Sequence, residues 1–316
     1  MKKHLLLVIC TILLAACSPK AEDISILTTE PSYSASLSSH GEFALVATQN
    51  SGVQCWDLST NTLKYQWIHG DINTGVTSTA ISPNGAFAAS LSRDSVAIWR
   101  MADGKSLGWW SLPSSGESVA VADNGALLVG LNDGSVMSLN SARSALIKFL
   151  GHKDRVNSVA LSADGRLALT GSNDMQAILW QAQTGQPLHT WTLSSRITKV
   201  ALNESGSLSF TNGSTNEAKI WDNTSGNLLN KLDIQRRQMN FSAVRFVNND
   251  TQILTGTPAR EVILWQRGTG KEIGKWQISL TKNSQSRGAV VYSVAIRDTN
   301  KVVSISSQGL VETWQQ

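Results

Sequence analysis

The sequence predicts an all-β fold: a seven-bladed β-propeller of four-stranded antiparallel blades, its ring closed by the N-terminal strand pairing with the C-terminal blade. Three observations carry this. A tryptophan ends a short apolar strand at Trp56, Trp99, Trp180, Trp221, Trp265 and Trp314, and Leu139 takes the missing third place. These positions recur at intervals of 40–49 residues, close to the repeat length of a four-stranded blade. One blade cannot bury both its faces, so the blades stack around an axis. The two ends of the chain are also complementary in phase. Ile24-Ser25-Ile26-Leu27 reads as a fourth strand with no repeat before it, and Trp314-Gln315-Gln316 follows a third strand with no fourth after it. Residues 24–28 are therefore expected as the outermost strand of the blade containing Trp314, leaving no open edge.

The fourth repeat gives the anatomy of a blade. Gly151-His152 precedes an alternating strand, Val156 to Leu161. Ser162-Ala163-Asp164-Gly165 is a turn with glycine at the left-handed position. Leu167 to Thr170 is the second strand, Gly171 to Asp174 turns, and Ala177 to Trp180 is the third strand. Thr184-Gly185 turns into the fourth strand, Pro187 to Leu193. First strands recur at Ser34–Leu37, Ser78–Ile81, Ser118–Val121, Lys199–Leu202, Ala243–Phe246 and Ser293–Ile296. Fourth strands carry a second large residue, at Trp67, Trp110, Phe149, Trp191, Leu232 and Trp276, expected to pack between blades.

The first residues read as an address. Lys2-Lys3 is a basic start, and Leu5 to Leu14 is a ten-residue apolar run, too short to span a bilayer as a stable helix. It ends in Leu14-Ala15-Ala16-Cys17, which resembles a bacterial lipobox. That resemblance implies a signal peptide over 1–16, a lipid-modified Cys17 with a short tether over 17–23, and the propeller over 24–316. Ser18, rather than aspartate, follows the cysteine. In the lipoprotein sorting rule this points to the outer membrane, with the protein facing the periplasm. Cleavage would remove Lys2 and Lys3 and no acid, lowering the formal charge from +4 to +2. That balance gives no reason to expect nucleic-acid binding. Of three cysteines only Cys55 would remain free, so no intramolecular disulfide is expected, and Cys55 beside Trp56 reads as a small buried filler.

The repeats resemble WD-repeat propellers over residues 24–316. Trp-Asp itself stands at Trp56-Asp57 and Trp221-Asp222. In that family a His, a Ser or Thr, an Asp and the Trp form a buried hydrogen-bond chain. The resemblance carries these roles onto His152, Thr170, Asp174 and Trp180, the one repeat with all four. Asp133 and Asp94 match in part. A quinoprotein-type propeller places Trp three residues after Thr-Gly. Here five residues separate Thr184-Gly185 from Trp191, and Thr269-Gly270 from Trp276.

No catalytic constellation emerges. His40, His69, His152 and His189 fall in different blades without metal-ligand spacing, and no Gly-x-Ser-x-Gly elbow is present. Gly268-Thr269-Gly270-Lys271 lacks the lead and the helix of a phosphate loop. No cofactor, metal or enzymatic activity is expected. The expected function is a lipid-anchored envelope scaffold that binds another protein, with the membrane touched through the lipid anchor only. The alternative is a propeller that binds or processes an envelope glycan or lipid headgroup through its central funnel. Loops joining a fourth strand to the next first strand carry Lys153, Arg155, Arg196, Arg236, Arg237, Lys282 and Arg287. They are the candidate partner face, suited to an acidic protein surface. The turn acids Asp123, Asp164, Glu204, Asp250 and Asp298 fall on the opposite rim.

Overall fold

A computed structural model describes residues 19–71, 74–140, 145–281, 288–298 and 300–316. The short strand β1 (Asp23–Ile26) comes first. Blade one is β2 (Ser32–Leu37), β3 (Phe43–Thr48), β4 (Gly52–Asp57) and β5 (Thr62–Trp67). Blade two is β6 (Ser78–Ile81), β7 (Phe87–Leu91), β8 (Ser95–Arg100) and β9 (Ser106–Ser111). Blade three is β10 (Gly116–Val121), β11 (Ala126–Leu131), β12 (Ser135–Asn140) and β13 (Ala145–Leu150). Blade four is β14 (Val156–Leu161), β15 (Leu167–Ser172), β16 (Gln176–Gln181) and β17 (Gln186–Thr192). Blade five is β18 (Ile197–Leu202), β19 (Leu208–Gly213), β20 (Glu217–Asp222) and β21 (Leu228–Lys231). Blade six is β22 (Ala243–Val247), β23 (Gln252–Gly256), β24 (Glu261–Gln266) and β25 (Glu272–Gln277). Blade seven has β26 (Val291–Arg297), β27 (Lys301–Ser306) and β28 (Leu310–Gln315) from the end of the chain.

The expected closure is present. Blade seven takes β1 as its fourth strand, antiparallel to β28, in the order β1-β28-β27-β26. Asp23 pairs with Thr313 and Ile26 with Leu310, so the strand starts one residue earlier than the pattern marked. Glu22 N–H bonds to Thr313 O and Leu27 N–H to Gly309 O, extending the join at both ends. Every sheet is antiparallel, and apart from β1 its strands follow in chain order, so its turns alternate between two rims. First-to-second-strand and third-to-fourth-strand turns share one rim. Second-to-third-strand turns and the blade-to-blade loops share the other.

Burial comes from the seams between blades. Seven apolar clusters occur, one at each seam. The two large residues of the repeat meet there, across blades. Trp67 of blade one stacks on Trp99 of blade two, centroids 5.1 Å apart at 9°. Trp191 of blade four stacks on Trp221 of blade five, 5.0 Å apart at 19°. Phe149 of blade three packs on Trp180 of blade four. Two outer tryptophans also anchor their indoles: Trp67 Nε1 donates to Gly104 O and Trp191 Nε1 to Gly226 O, both at 2.9 Å. Those glycines have φ near +73°, and a Cβ on Gly104 would strike the Tyr65 ring at 2.6 Å. In five blades the pairing of third and fourth strands shifts at the tryptophan itself, a repeated bulge that turns the side chain into the seam.

Candidate interaction face

The buried polar chains come first, because they fix the loops of the face. In blade four the second-to-third-strand turn holds Met175 at φ 69, next to Asp174. His152 Nδ1 lies 3.0 Å from Asp174 Oδ2, and its Nε2 lies 2.8 Å from Thr170 Oγ1. Trp180 Nε1 donates to the same hydroxyl at 2.8 Å. A neutral imidazole satisfies this chain: Nδ1–H donates to the carboxylate, and Nε2 accepts the Thr170 proton. Burial pushes the His152 pKa down, against the pull of Asp174. Burial also pushes Asp174 up, but the Lys153 and Gln176 N–H groups and His152 outweigh it and hold the carboxyl below its usual range. The Lys153 N–H bond, at 2.9 Å, ties the start of the loop to the blade.

Blade two contains a second chain that the sequence pattern missed. His69 Nδ1 lies 2.7 Å from Ser90 Oγ, and Trp99 Nε1 donates to that hydroxyl at 2.9 Å. The turn here is one residue shorter than in blade four, with nothing at the place of Met175. Asp94 is therefore exposed, and Ser95 relays between it and His69 Nε2, at 3.2 and 3.1 Å. Burial lowers the His69 pKa to about 4. The signal was present as Ser90, Ser92 and Asp94, at the same spacing as Thr170, Ser172 and Asp174. In blades five and six the tryptophan keeps its threonine, Trp221 to Thr211 and Trp265 to Thr255, both at 2.9 Å.

The candidate cations differ in how free they are. Lys153, Arg196 and Arg237 are exposed, and their side chains have no ion pair among the described residues. Arg155 is half-buried, its Nη1 3.9 Å from Glu117 of β10. Arg236 is engaged by both oxygens of Glu261, which Lys275 also meets at 2.7 Å. Lys282 and Arg287 lie outside the described residues, as does Cys17. The blade-to-blade loops carry acids beside these cations: Glu30, Asp71, Asp154 and Asp233. The fold adds Glu117, and Glu261 and Glu217 from the turns beside them, to the same rim. Arg93, exposed on the blade-two turn of that rim, joins the free cations. A cavity of about 610 Å³ opens beside it, lined by Tyr33, Thr77 and Asp94 among others.

The opposite rim is linked from blade two to blade six. Asn84 N–H donates to Asp123 Oδ1, Asp123 N–H to Ala163 O, and Ala163 N–H to Glu204 O. Asn203 Nδ2 donates to Asp250 Oδ2 at 2.7 Å. Burial raises the Asp123 pKa, and the charge of Glu204 adds to it. At this mouth of the channel a cavity of about 520 Å³ is lined by His40, Glu204, Arg245 and Asp250 among others. Arg245 reaches across from blade six: Nε to Val294 O, Nη1 to Ser39 Oγ and Nη2 to Leu37 O, at 2.8–3.0 Å. It thus braces blades six, seven and one, the seam where the ring closes. Burial lowers its pKa to about 10. Lys199 holds the place in β18 where Ser118 and Ser158 bond across to the next inner strand, and burial lowers its pKa too.

Among the described residues no three His, Cys, Asp or Glu side chains are placed to hold a metal ion. No helix among them is long and apolar enough to cross a membrane. Cys55 is a buried free thiol beside Met101, its pKa pushed up to about 12 by burial. Residues 144–181, which span most of blade four, match the family model for the WD domain, G-beta repeat. The chain carries a WD repeat within a seven-bladed propeller. The match covers the blade with the complete His152–Thr170–Asp174–Trp180 chain. No curated protein matches the sequence.

Proposed function

We propose that this WD-repeat propeller is a lipid-anchored envelope protein, held through Cys17, that acts as a non-catalytic scaffold for another protein. A WD propeller is commonly an interaction platform. One observation supports the choice of face. Lys153, Arg196 and Arg237 are exposed and without an ion pair among the described residues, on the rim of the blade-to-blade loops of a scaffold whose seams are closed. Such charges steer an acidic partner surface and fix its orientation. The buried histidines, by contrast, are spent on structure. The test is charge reversal of Lys153, Arg196 and Arg237 to Glu, with crosslinking and co-purification from the envelope. Loss of the partner at unchanged thermal stability is the expected result. A partner that survives this reversal, and is lost when Asp123 and Glu204 are changed, places binding on the other rim. Fractionation tests the anchor: Cys17→Ser should leave the membrane fraction or retain its signal, and normal fractionation refutes the lipid.

The second reading, a funnel that takes a glycan or headgroup, has one observation in its favour. Asp123 and Glu204 repel each other at a channel mouth of sufficient size. Two carboxyl groups, one of them raised, are the arrangement used in glycoside hydrolysis. Activity lost in Asp123→Asn at full stability would favour it.

A further inference from the structure

The fold fixes where an anchored N-terminus joins the disc, and so which side of the protein meets lipid; this rests on the anchor proposed above. Asp23 pairs with Thr313 near the end of β28. There Gln316 N–H bonds to Asn300 O, in the turn between the first and second strands of blade seven. The other end of β1 reaches the opposite rim, where Leu27 N–H bonds to Gly309 O. The chain therefore enters the ring on the rim away from Lys153, Arg196 and Arg237. From Cys17 to Asp23 is six residues, a reach of at most ~20 Å. A disc held that closely meets the bilayer with the part nearest its entry point.

That part is apolar. Ile24 and Ile26 are 47% and 58% exposed, and they alternate with Ser25, so they share one side of β1. On the flanking blades Ile273 of β25 and Leu63 of β5 are also exposed, each within two residues of the start of its outer strand, toward the same rim. Exposed apolar groups on three consecutive blades surround the place where the chain enters. A short tether gives such a patch a high effective concentration of lipid, so even modest apolar burial keeps it in contact. We propose that the outer edge of blade seven, with its neighbours on blades six and one, rests on the lipid surface. Ile24 and Ile26 enter the boundary between headgroups and acyl chains. The rim of blade-to-blade loops then points away from the membrane.

The lone buried thiol makes this measurable. Cys55 does not compete for a label, and an acylated Cys17 cannot, so one introduced cysteine reports alone. The mature acylated variants Ile24→Cys, Ile26→Cys, Leu188→Cys and Lys153→Cys, which have lost Cys10 with the signal, carry an environment-sensitive fluorophore. They are placed on vesicles of phosphatidylethanolamine and phosphatidylglycerol containing a nitroxide lipid. Leu188, 44% exposed on β17 of blade four, stands across the disc. The expected result is blue-shifted emission and several-fold stronger quenching at 24 and 26 than at 188 and 153. Vesicle-bound protein with equal quenching at all four sites, or most at 153, overturns the orientation and leaves the anchor standing. An intact mass without an acyl group overturns both.

Discussion

Asp174 and Asp133 occupy the same place in successive blades but do different work. Asp174 closes a buried chain with His152, and its oxygens also accept from the Lys153 and Gln176 N–H groups. Asp133 accepts from Ser135, with Lys148 3.8 Å away in the open, and Leu139 stands where a tryptophan would complete a chain. Asp174→Ala should therefore cost ~1–3 kcal/mol, since it strands buried partners, and Asp133→Ala clearly less. Equal urea midpoints would contradict this. The same chains set a pH dependence. His69 and His152 have folded pKa values below their unfolded value near ~6.5, so they stay neutral while the unfolded chain takes up protons. Their contribution is present in full above that value and is lost as pH falls, down to about 4 for His69. The melting temperature should be level above neutrality and decline through the weakly acidic range. Asp174, its folded pKa lowered, adds to the loss at lower pH. His69→Gln should flatten part of that decline. The blade-four chain was legible in sequence because all its members lie at family spacing. The blade-two chain was not, because a shorter turn changes which group contacts the histidine.

Outer strands carry two kinds of apolar residue, and only one of them holds the blade. On β17, Trp191 is buried against Trp221 of the next blade and donates to Gly226 O. Leu188, three residues earlier on the same strand, is 44% exposed. Trp191→Ala should cost ~3–5 kcal/mol, and Leu188→Ala less than ~1 kcal/mol, read from denaturant unfolding. Similar losses would mean that the seams do not carry the stability. Strand positions were legible because inner strands alternate and the turns announce themselves with glycine, asparagine and aspartate. The charge of the face was not. Sequence assigns a loop its own residues, whereas Glu117, Glu217 and Glu261 arrive from the strands beside it. Arg236 belongs to the candidate partner face by sequence, yet Glu261 occupies it.

Closure is the property of the whole molecule, and the complementary ends make it readable in the sequence. Arg245 was not readable, because its partners lie in blades seven and one, reached only once the ring exists. One of its hydrogen bonds holds blade seven and two reach past it to blade one, none of them involving β1. Arg245→Met should lower stability by ~1–3 kcal/mol, with faster hydrogen exchange in β1 and β28. Unchanged exchange there would show that the brace is idle. The direction of β1 also has a mechanical consequence. A pull at Asp23 along the strand loads its whole ladder with β28 at once, in shear. A pull away from the disc's edge breaks the Asp23–Thr313 step first and then each step in turn, up to Ile26–Leu310. The same four-residue strand is thus a firm fastening against one direction of force and a zipper against the other.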